Sequence, residues 1–291
     1  MGNFLKKTLR ELTSYMAKGI PPKYVENVTK DTIVVLNQKC NKNFAISLEQ
    51  SRLHDNRKKA VPAEKYLRRN DVLINSTGTG TAGRVAQLLE LDQPMTIDGH
   101  MILLRPAPNI DPLYYGYAVK NHQPEIEQLA EGSTGQTEIN KQRLMDEIII
   151  SIPEDKIEQE KIGIFLFEID EKIRNNEQIN KNLEEQANII YNKFISKYPT
   201  DKIVLKNIVL TANTGADAIK KAPIVDYDTG VRCVRVGDMS NKRPIYEWGY
   251  TDVTPEIFKQ YQLHKNDIIV TRTATLGLNC LISSDLDAVY N

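Results

Sequence analysis

Two stretches of this chain carry the same pattern 196 residues apart, and a sequence that repeats itself at such a distance builds one domain twice. Leu9-Arg10-Glu11-Leu12 matches Leu205-Lys206-Asn207-Ile208, and Gly19 matches Gly215. At the same offset Leu67-Arg68-Arg69-Asn70-Asp71-Val72-Leu73-Ile74 matches Leu263-His264-Lys265-Asn266-Asp267-Ile268-Ile269-Val270. Between these anchors, Val34 to Gln38 fits Val234 to Asp238 once four residues are inserted in the second copy. The second copy reaches the equivalent of residues 95 to 100, so the sequence predicts a domain of about 95 residues that lacks its closing strands and packs poorly.

Within the first copy, Thr32 to Gln38, Asp71 to Asn75, Met101 to Leu104 and Glu147 to Ile152 are short runs rich in Val, Ile and Leu, bounded by Pro, Gly, Asn and Asp. They read as strands, with a short helix over Asp111 to Lys120. The expected fold class is α+β, a mostly-β domain over residues 1–153 and a partial copy over 197–291.

Residues 154–196 follow a different period. Ile162, Leu166, Ile169, Ile173, Asn176, Asn180, Leu183, Ala187, Ile190 and Phe194 recur in steps of four and three, with Glu, Lys, Gln and Asn between them. That spacing is a heptad seam and predicts a coiled-coil helix bounded by Pro153 and Pro199. About 40 residues make a rod of roughly 60 Å, which must bury its seam against another helix. Asn176 and Asn180 sit mid-seam, where polar residues fix register. With one such helix per chain, an antiparallel pair with a second molecule is expected. A narrower reading, a helix lying on its own domain, draws on Ile164, Phe165 and Phe167, which widen the apolar stripe at its start.

Composition removes several function classes. Cys40, Cys233 and Cys280 are too far apart for a paired metal site and read as buried thiols, and His54, His100, His122 and His264 are scattered. No signal-peptide run and no stretch of about 18 uncharged apolar residues occurs, so a soluble cytoplasmic protein without membrane partners is expected.

Gly78-Thr79-Gly80-Thr81-Ala82-Gly83 is formally the glycine pattern of a dinucleotide-binding turn, with Asp98 downstream, and would make the chain an oxidoreductase. The pattern needs a helix and then a parallel strand. Here a short stretch and a polar turn at Glu90 to Pro94 predict a hairpin instead, and the second copy lacks the glycines. No Walker lysine follows the loop, and no Asn/Asp-Pro-Pro-Tyr/Phe methylase motif or nuclease carboxylate cluster is found, so no catalytic residue, cofactor site or metal site is assigned.

Formal net charge is zero, but Arg52, Arg57, Lys58, Lys59, Lys65, Arg68 and Arg69 crowd one short stretch opposed by Asp55 and Glu64. Such a patch suits phosphates, and equally a solvated loop. Candidate DNA-contacting residues are Asn37, Gln38 and Lys39 after the early strand, Arg52, Arg57, Lys58 and Lys59, and Ser76, Thr77, Thr79, Thr81 and Arg84 in the glycine loop. Arg reads guanine and Asn or Gln adenine in the major groove, while Lys and Thr suit phosphates.

LRRNDVLINSTGTGTAGRVAQL, then GSTGQTEINKQRLMDEIIISIPE, then a heptad helix and a second copy form a combination. It resembles the specificity subunits of type I restriction-modification enzymes, the HsdS family, over essentially the whole chain. Gly132-Ser133-Thr134-Gly135-Gln136 with Ile139-Asn140, and the strand at Ile148-Ile149-Ile150 ending at Pro153, match the segment that closes each recognition domain there. The resemblance implies a non-catalytic scaffold in which two recognition domains read the halves of a split double-stranded DNA target across an antiparallel helix pair. It implies modification subunits that methylate adenine with S-adenosylmethionine and a motor-nuclease restriction subunit, so that S-adenosylmethionine, Mg2+ and ATP would serve partners and no cofactor would bind here. Ser133, Thr134 and Gln136 would contact DNA or, the preferred reading, anchor the domain to the helix. The chain departs from the pattern in its partial second domain and single helix. A shortened subunit that dimerises, a fragment and a product of gene rearrangement all fit. An interaction scaffold that binds no DNA is the alternative function.

Overall fold

The computed structural model describes residues 3–132, 137–198, 203–217 and 220–291, which divide into two compact units, 1–194 and 195–291. The first unit opens with β1 (Phe4–Thr8), β2 (Thr13–Lys18), β3 (Tyr24–Val25) and β4 (Thr32–Leu36). It continues with β5 (Arg52–Asp55), β6 (Val72–Asn75), β7 (Val85–Gln87), β8 (Met95–Ile97) and β9 (Met101–Pro106). Helices α1 (Pro112–Asn121), α2 (Gln123–Gln128) and α3 (Lys141–Glu147) follow, then β10 (Ile149–Pro153) and the long α4 (Lys156–Ile195).

Two four-stranded sheets carry this unit, in the orders β8-β4-β5-β3 and β2-β9-β6-β7, while β1 pairs with β10. The β-branched run Ile33-Val34-Val35 continues into Leu36, and all four are buried because β4 lies inside its sheet with a parallel neighbour, β8. β6 is buried along its whole length because it has β7 on one side and β9 on the other. Helix α1 starts at Asp111, whose side chain accepts the Tyr114 amide at 2.8 Å, with Pro112 in the first turn.

Several predicted strand boundaries move by one or two residues, among them Asp71 to Val72, Leu104 to Pro106 and Ile152 to Pro153. The first strand ends at Leu36 rather than Gln38, because Asn37 caps a 3-10 turn over Gln38–Cys40. The last begins at Ile149 rather than Glu147, because Asn140 accepts the Gln142 and Arg143 amides and starts α3, which runs to Glu147.

Helix α4 uses its N-terminal third differently from a free coiled coil. Buried Gln159 accepts the Asp111 amide at 3.0 Å and donates to the Pro153 carbonyl at 2.8 Å. A side chain at Gly163 would stand 2.7 Å from the Tyr114 nitrogen, so only glycine allows α1 this close. Asp170 receives the Tyr117 hydroxyl at 2.9 Å and the Lys120 ammonium at 3.2 Å. Ile162 packs on the domain core, and Leu166 and Ile169 line a groove with Tyr114 and Tyr117. Ile162 and Leu166 therefore face their own domain, with Ile169 at the exposed edge of the groove, whereas Ile164 and Phe165, on which the narrower reading of the helix drew, are exposed. From Ile173 onward the seam positions Ile173, Asn176, Asn180, Leu183, Ala187, Ile190 and Phe194 are all exposed.

The second unit contains β11 (Ile224–Val225), β12 (Arg232–Val234), β13 (Tyr250–Thr251), β14 (Ile268–Val270), β15 (Asn279–Leu281) and β16 (Ala288–Tyr290). Its four-stranded sheet runs β16-β12-β13-β11, the order of the first unit's β8-β4-β5-β3, again with one parallel pair at β16 and β12. The hydrogen bonds repeat too. Ile20 N–H donates to Ile97 O at 2.9 Å and Ala216 N–H to Tyr290 O at 2.9 Å, while Asn70 and Asn266 both adopt φ 72°. The Asp98 amide donates to Leu36 O as the Asn291 amide does to Val234 O, which equates Leu36 with Val234. The insertion at this strand is thus two residues rather than four, since the sheet register and not the run of valines sets the alignment. Packing is uneven: Cys233, Leu263, Ala288 and Val289 are buried, whereas the β14–β15 hairpin is exposed and Cys280 is only half-buried, unlike Cys40 and Cys233.

Candidate nucleic-acid interface

Three turns meet at one end of the first unit's sheets. The turn after β4 brings Asn37 and Gln38, the loop between β6 and β7 brings residues 76–84, and the turn between β8 and β9 brings Asp98 and His100. Gln38 donates from Nε2 to Thr77 Oγ1, which is 3.0 Å from His100 Nδ1, and the His100 amide donates to Asp98 Oδ1 at 2.9 Å. Asn75 Nδ2 donates to the Gln38 carbonyl at 3.2 Å. One polar chain therefore ties all three turns together on strands that are themselves buried.

The hairpin connection is the glycine loop itself and not the predicted turn at Glu90 to Pro94, because β7 and β8 lie in different sheets. β6 and β7 are antiparallel, with Val72 opposite Gln87 and Ile74 opposite Val85, so the helix and parallel strand of a dinucleotide site are replaced by a sheet edge. Gly78, Gly80 and Gly83 all have positive φ. A side chain at Gly83 would come 2.7 Å from the Glu127 Cα, so α2 closes against the loop only because this residue is glycine. Thr81 Oγ1 donates to Thr77 O at 3.5 Å and Arg84 donates to Gly80 O at 3.1 Å, which folds the loop on itself.

The predicted contact residues separate into two groups. Gln38, Thr77, Thr79, Thr81 and Arg84 lie in or beside the polar chain, and the Asn37 side chain donates to Gln50 O at 2.6 Å, which brings in the segment leading to Arg52. Arg52 is exposed, pairs with Val35 across the sheet and lays its guanidinium 3.4 Å above the Tyr24 ring. Arg57, Lys58 and Lys59 follow the other end of β5, which lies three residues and about 10 Å from Arg52. There Arg57 engages Asp55 at 3.3 Å and Asp31 at 3.6 Å, and it holds the Asp55 carboxyl below the usual carboxylate range.

Two residues have structural work instead. Asn37 accepts the Lys39 amide at 2.9 Å while donating to Gln50, so both ends of its amide shape the turn. Ser76 is fully buried, its amide on His100 O at 2.8 Å and its carbonyl accepting from Ile139 at 2.7 Å, which takes its hydroxyl away from solvent. Lys39 is exposed. Ser133, Thr134 and Gln136 lie outside the described residues.

Sequence reading missed His100, Asp98, Asn75, Asn41 and Tyr24. The Asp98-Gly99 turn between two apolar runs is a signal that could have pointed to His100. Behind the loop, Asn41 Oδ1, Asn75 Oδ1 and Ser76 Oγ are buried with no hydrogen-bond partner. Each such atom costs about 1–3 kcal/mol, a concentration that cores avoid and functional surfaces tolerate. Burial pushes the Asp98 carboxyl above its ordinary range, against the opposing pull of the His100 amide.

Among the described residues no cluster of His, Cys, Asp and Glu could hold a metal, and no helix is long and apolar enough to cross a membrane. The family model for the type I restriction modification DNA specificity domain matches residues 4–185. No curated protein matches the chain. Among solved structures, the S subunit of a type I restriction-modification system from M. genitalium is similar at a TM-score of 0.56 and 18% identity, over 98% of this chain and 70% of that one. The HsdS subunit from Thermoanaerobacter tengcongensis is similar at 0.43 and 19%, over 59% of this chain and 38% of that one. A chain from a type I restriction-modification assembly is similar at 0.47 and 16%, over 67% of this chain and 45% of that one.

Proposed function

The chain belongs to the type I restriction-modification DNA specificity family, and from that premise we propose that its first unit reads one half of a split DNA target with the cluster of turns around Gln38, Thr77 and His100. The family supplies the DNA-specificity role of a non-catalytic subunit, which sets aside the oxidoreductase reading and the scaffold without DNA.

The polar chain across three turns carries the proposal. Base reading needs donors and acceptors held in place before DNA arrives, and loops fixed on buried strands supply that. Arg52 suits guanine, since stacking on Tyr24 orients its guanidinium plane while leaving the side chain exposed. Lys39 and the backbone of the glycine loop suit phosphates, and Arg57 to Lys59 reach a different stretch of backbone.

The exposed stretch of α4 from Ile173 to Phe194 spans about 30 Å, and its heptad spacing suits antiparallel pairing with the same helix of a second molecule. Two copies of the first unit would then face inverted, identical half-sites. Modification and restriction subunits complete the complex and are the users of S-adenosylmethionine, Mg2+ and ATP.

Gel shifts of the chain assembled with its modification subunits, at several salt concentrations, test this. Arg52→Ala and Gln38→Ala should each lose about 1–3 kcal/mol of affinity for the specific site while nonspecific binding keeps its steep salt dependence. Equal losses on specific and random DNA would rule out base reading by these residues.

A further inference from the structure

The repeat keeps one corner of a sheet and changes its side chains. In the first unit Thr96 of β8 pairs with Val35 of β4, Val35 with Arg52 of β5, and His54 of β5 with Tyr24 of β3. Paired residues share a face of the sheet and alternate residues return to it, so Asp98, Arg52 and Tyr24 stand on one face. Arg52 lies exposed on the Tyr24 ring, and Asp98 is 6% exposed at the end of β8. Burial pushes the Asp98 carboxyl up, while the His100 amide, His100 itself and the Arg52 guanidinium draw it back down.

In the second unit, with Val234 matching Leu36, the strand pairs place Tyr250 where Leu53 stands and Val225 where Val25 stands. Arg52 therefore corresponds to Gly249, Tyr24 to Ile224 and Asp98 to Asn291. Carboxylate, arginine and tyrosine change together, to amide, glycine and isoleucine, on one backbone plan. A side chain at Gly249 would stand 2.4 Å from Ile224 Cδ1, so Ile224 covers the backbone from which Arg52 projects in the first unit. The turn itself does not require the carboxylate. Asp98 Oδ1 accepts the His100 amide at 2.9 Å, and an asparagine accepts such a bond without burying a charge.

We propose that Asp98 is the positioning residue of the Arg52 reader, an inference that rests on the first unit reading a DNA half-site. Stacking on Tyr24 fixes the plane of the guanidinium but leaves it free to turn within that plane. A buried carboxylate on the same face draws one edge of the guanidinium inward and leaves the other turned toward the DNA. Arginine reads guanine by two parallel bonds to O6 and N7, so a guanidinium that turns loses discrimination before it loses affinity.

The test uses the chain assembled with its modification subunits, on duplexes carrying its methylated site and on copies in which each guanine is replaced in turn by adenine. Arg52→Ala marks the guanine that Arg52 reads, as the one whose replacement then costs nothing. At that guanine Asp98→Asn should lose about ten-fold in discrimination, keep its affinity for random DNA, and add nothing to Arg52→Ala. Discrimination by the unaltered chain should also fall as pH drops through the Asp98 value, because protonation removes the charge. Asp98→Asn should show no such fall, although it retains Arg52, His100, Tyr24 and Cys40, the charged and titratable groups that face Asp98. Unaltered discrimination in Asp98→Asn, losses that add in the double variant, or a flat pH profile of the unaltered chain each overturn the proposal. If Arg52→Ala changes discrimination at no guanine, base reading by Arg52 fails first and the proposal falls with it.

Discussion

The two units share a sheet and differ in what surrounds it. Leu67 donates to Met95 O at 2.9 Å in one unit and Leu263 to Ala288 O at 2.9 Å in the other, and the sheet order is the same. Yet Ile74 is buried and Val270 lies open, at matching positions of matching strands. Local pattern sets how a strand bends, caps and pairs, whereas burial is a property of the neighbouring strand. A residue type alone therefore cannot say how much a position stabilises.

Truncating the side chains at these two matching positions should have unequal effects. Ile74→Ala should cost about 2–5 kcal/mol, as cavities in closed cores do, while Val270→Ala should cost less than about 0.5 kcal/mol. Denaturant titration checks both, with Trp248 emission following the second unit. Similar losses would mean that the β14 edge is covered in solution.

Glycines at equivalent close approaches should behave alike. A side chain at Gly19 would stand 2.1 Å from Asp98 O, and one at Gly215 would stand 2.2 Å from the Asn291 carbonyl carbon. Alanine at either should cost about 1–3 kcal/mol, measured in the same titrations. Loss at Gly19 alone would show that the second sheet adjusts where the first cannot.

The smallest effect concerns Asp98, whose equivalent is Asn291. Because burial raises its folded value, the carboxyl's contribution to stability is present at low pH and is lost as pH rises through that value. Asp98→Asn keeps an acceptor for the His100 amide without the charge. Thermal melts should show a gain of about 1–2 °C at neutral pH and none near pH 3.

Much of the fold was legible because it is written in short-range pattern. The valine-rich β4, the Asp111 cap with Pro112, the period of α4 and the repeated Leu-x-x-Asn-Asp turn each declare themselves locally. What failed to show depended on distant partners. Ile162 and Leu166 carry a seam period but meet α1, brought there by Gln159 and Gly163. Ser76 reads as a loop hydroxyl until the Ile139 amide and His100 carbonyl close over it. Of the interface, the glycine loop and Gln38 were visible as polar turns, whereas His100 joined them only through its contact with Thr77.

Sequencing methylated bases after reconstitution with the modification subunits tests whether one recognition unit per chain reads a half-site while a second molecule supplies the other. A split target of two identical inverted half-sites is expected, altered in both halves together by Arg52→Ala. A target with unlike halves, or one unmoved by changes at Arg52, Gln38 and Thr77, would contradict it.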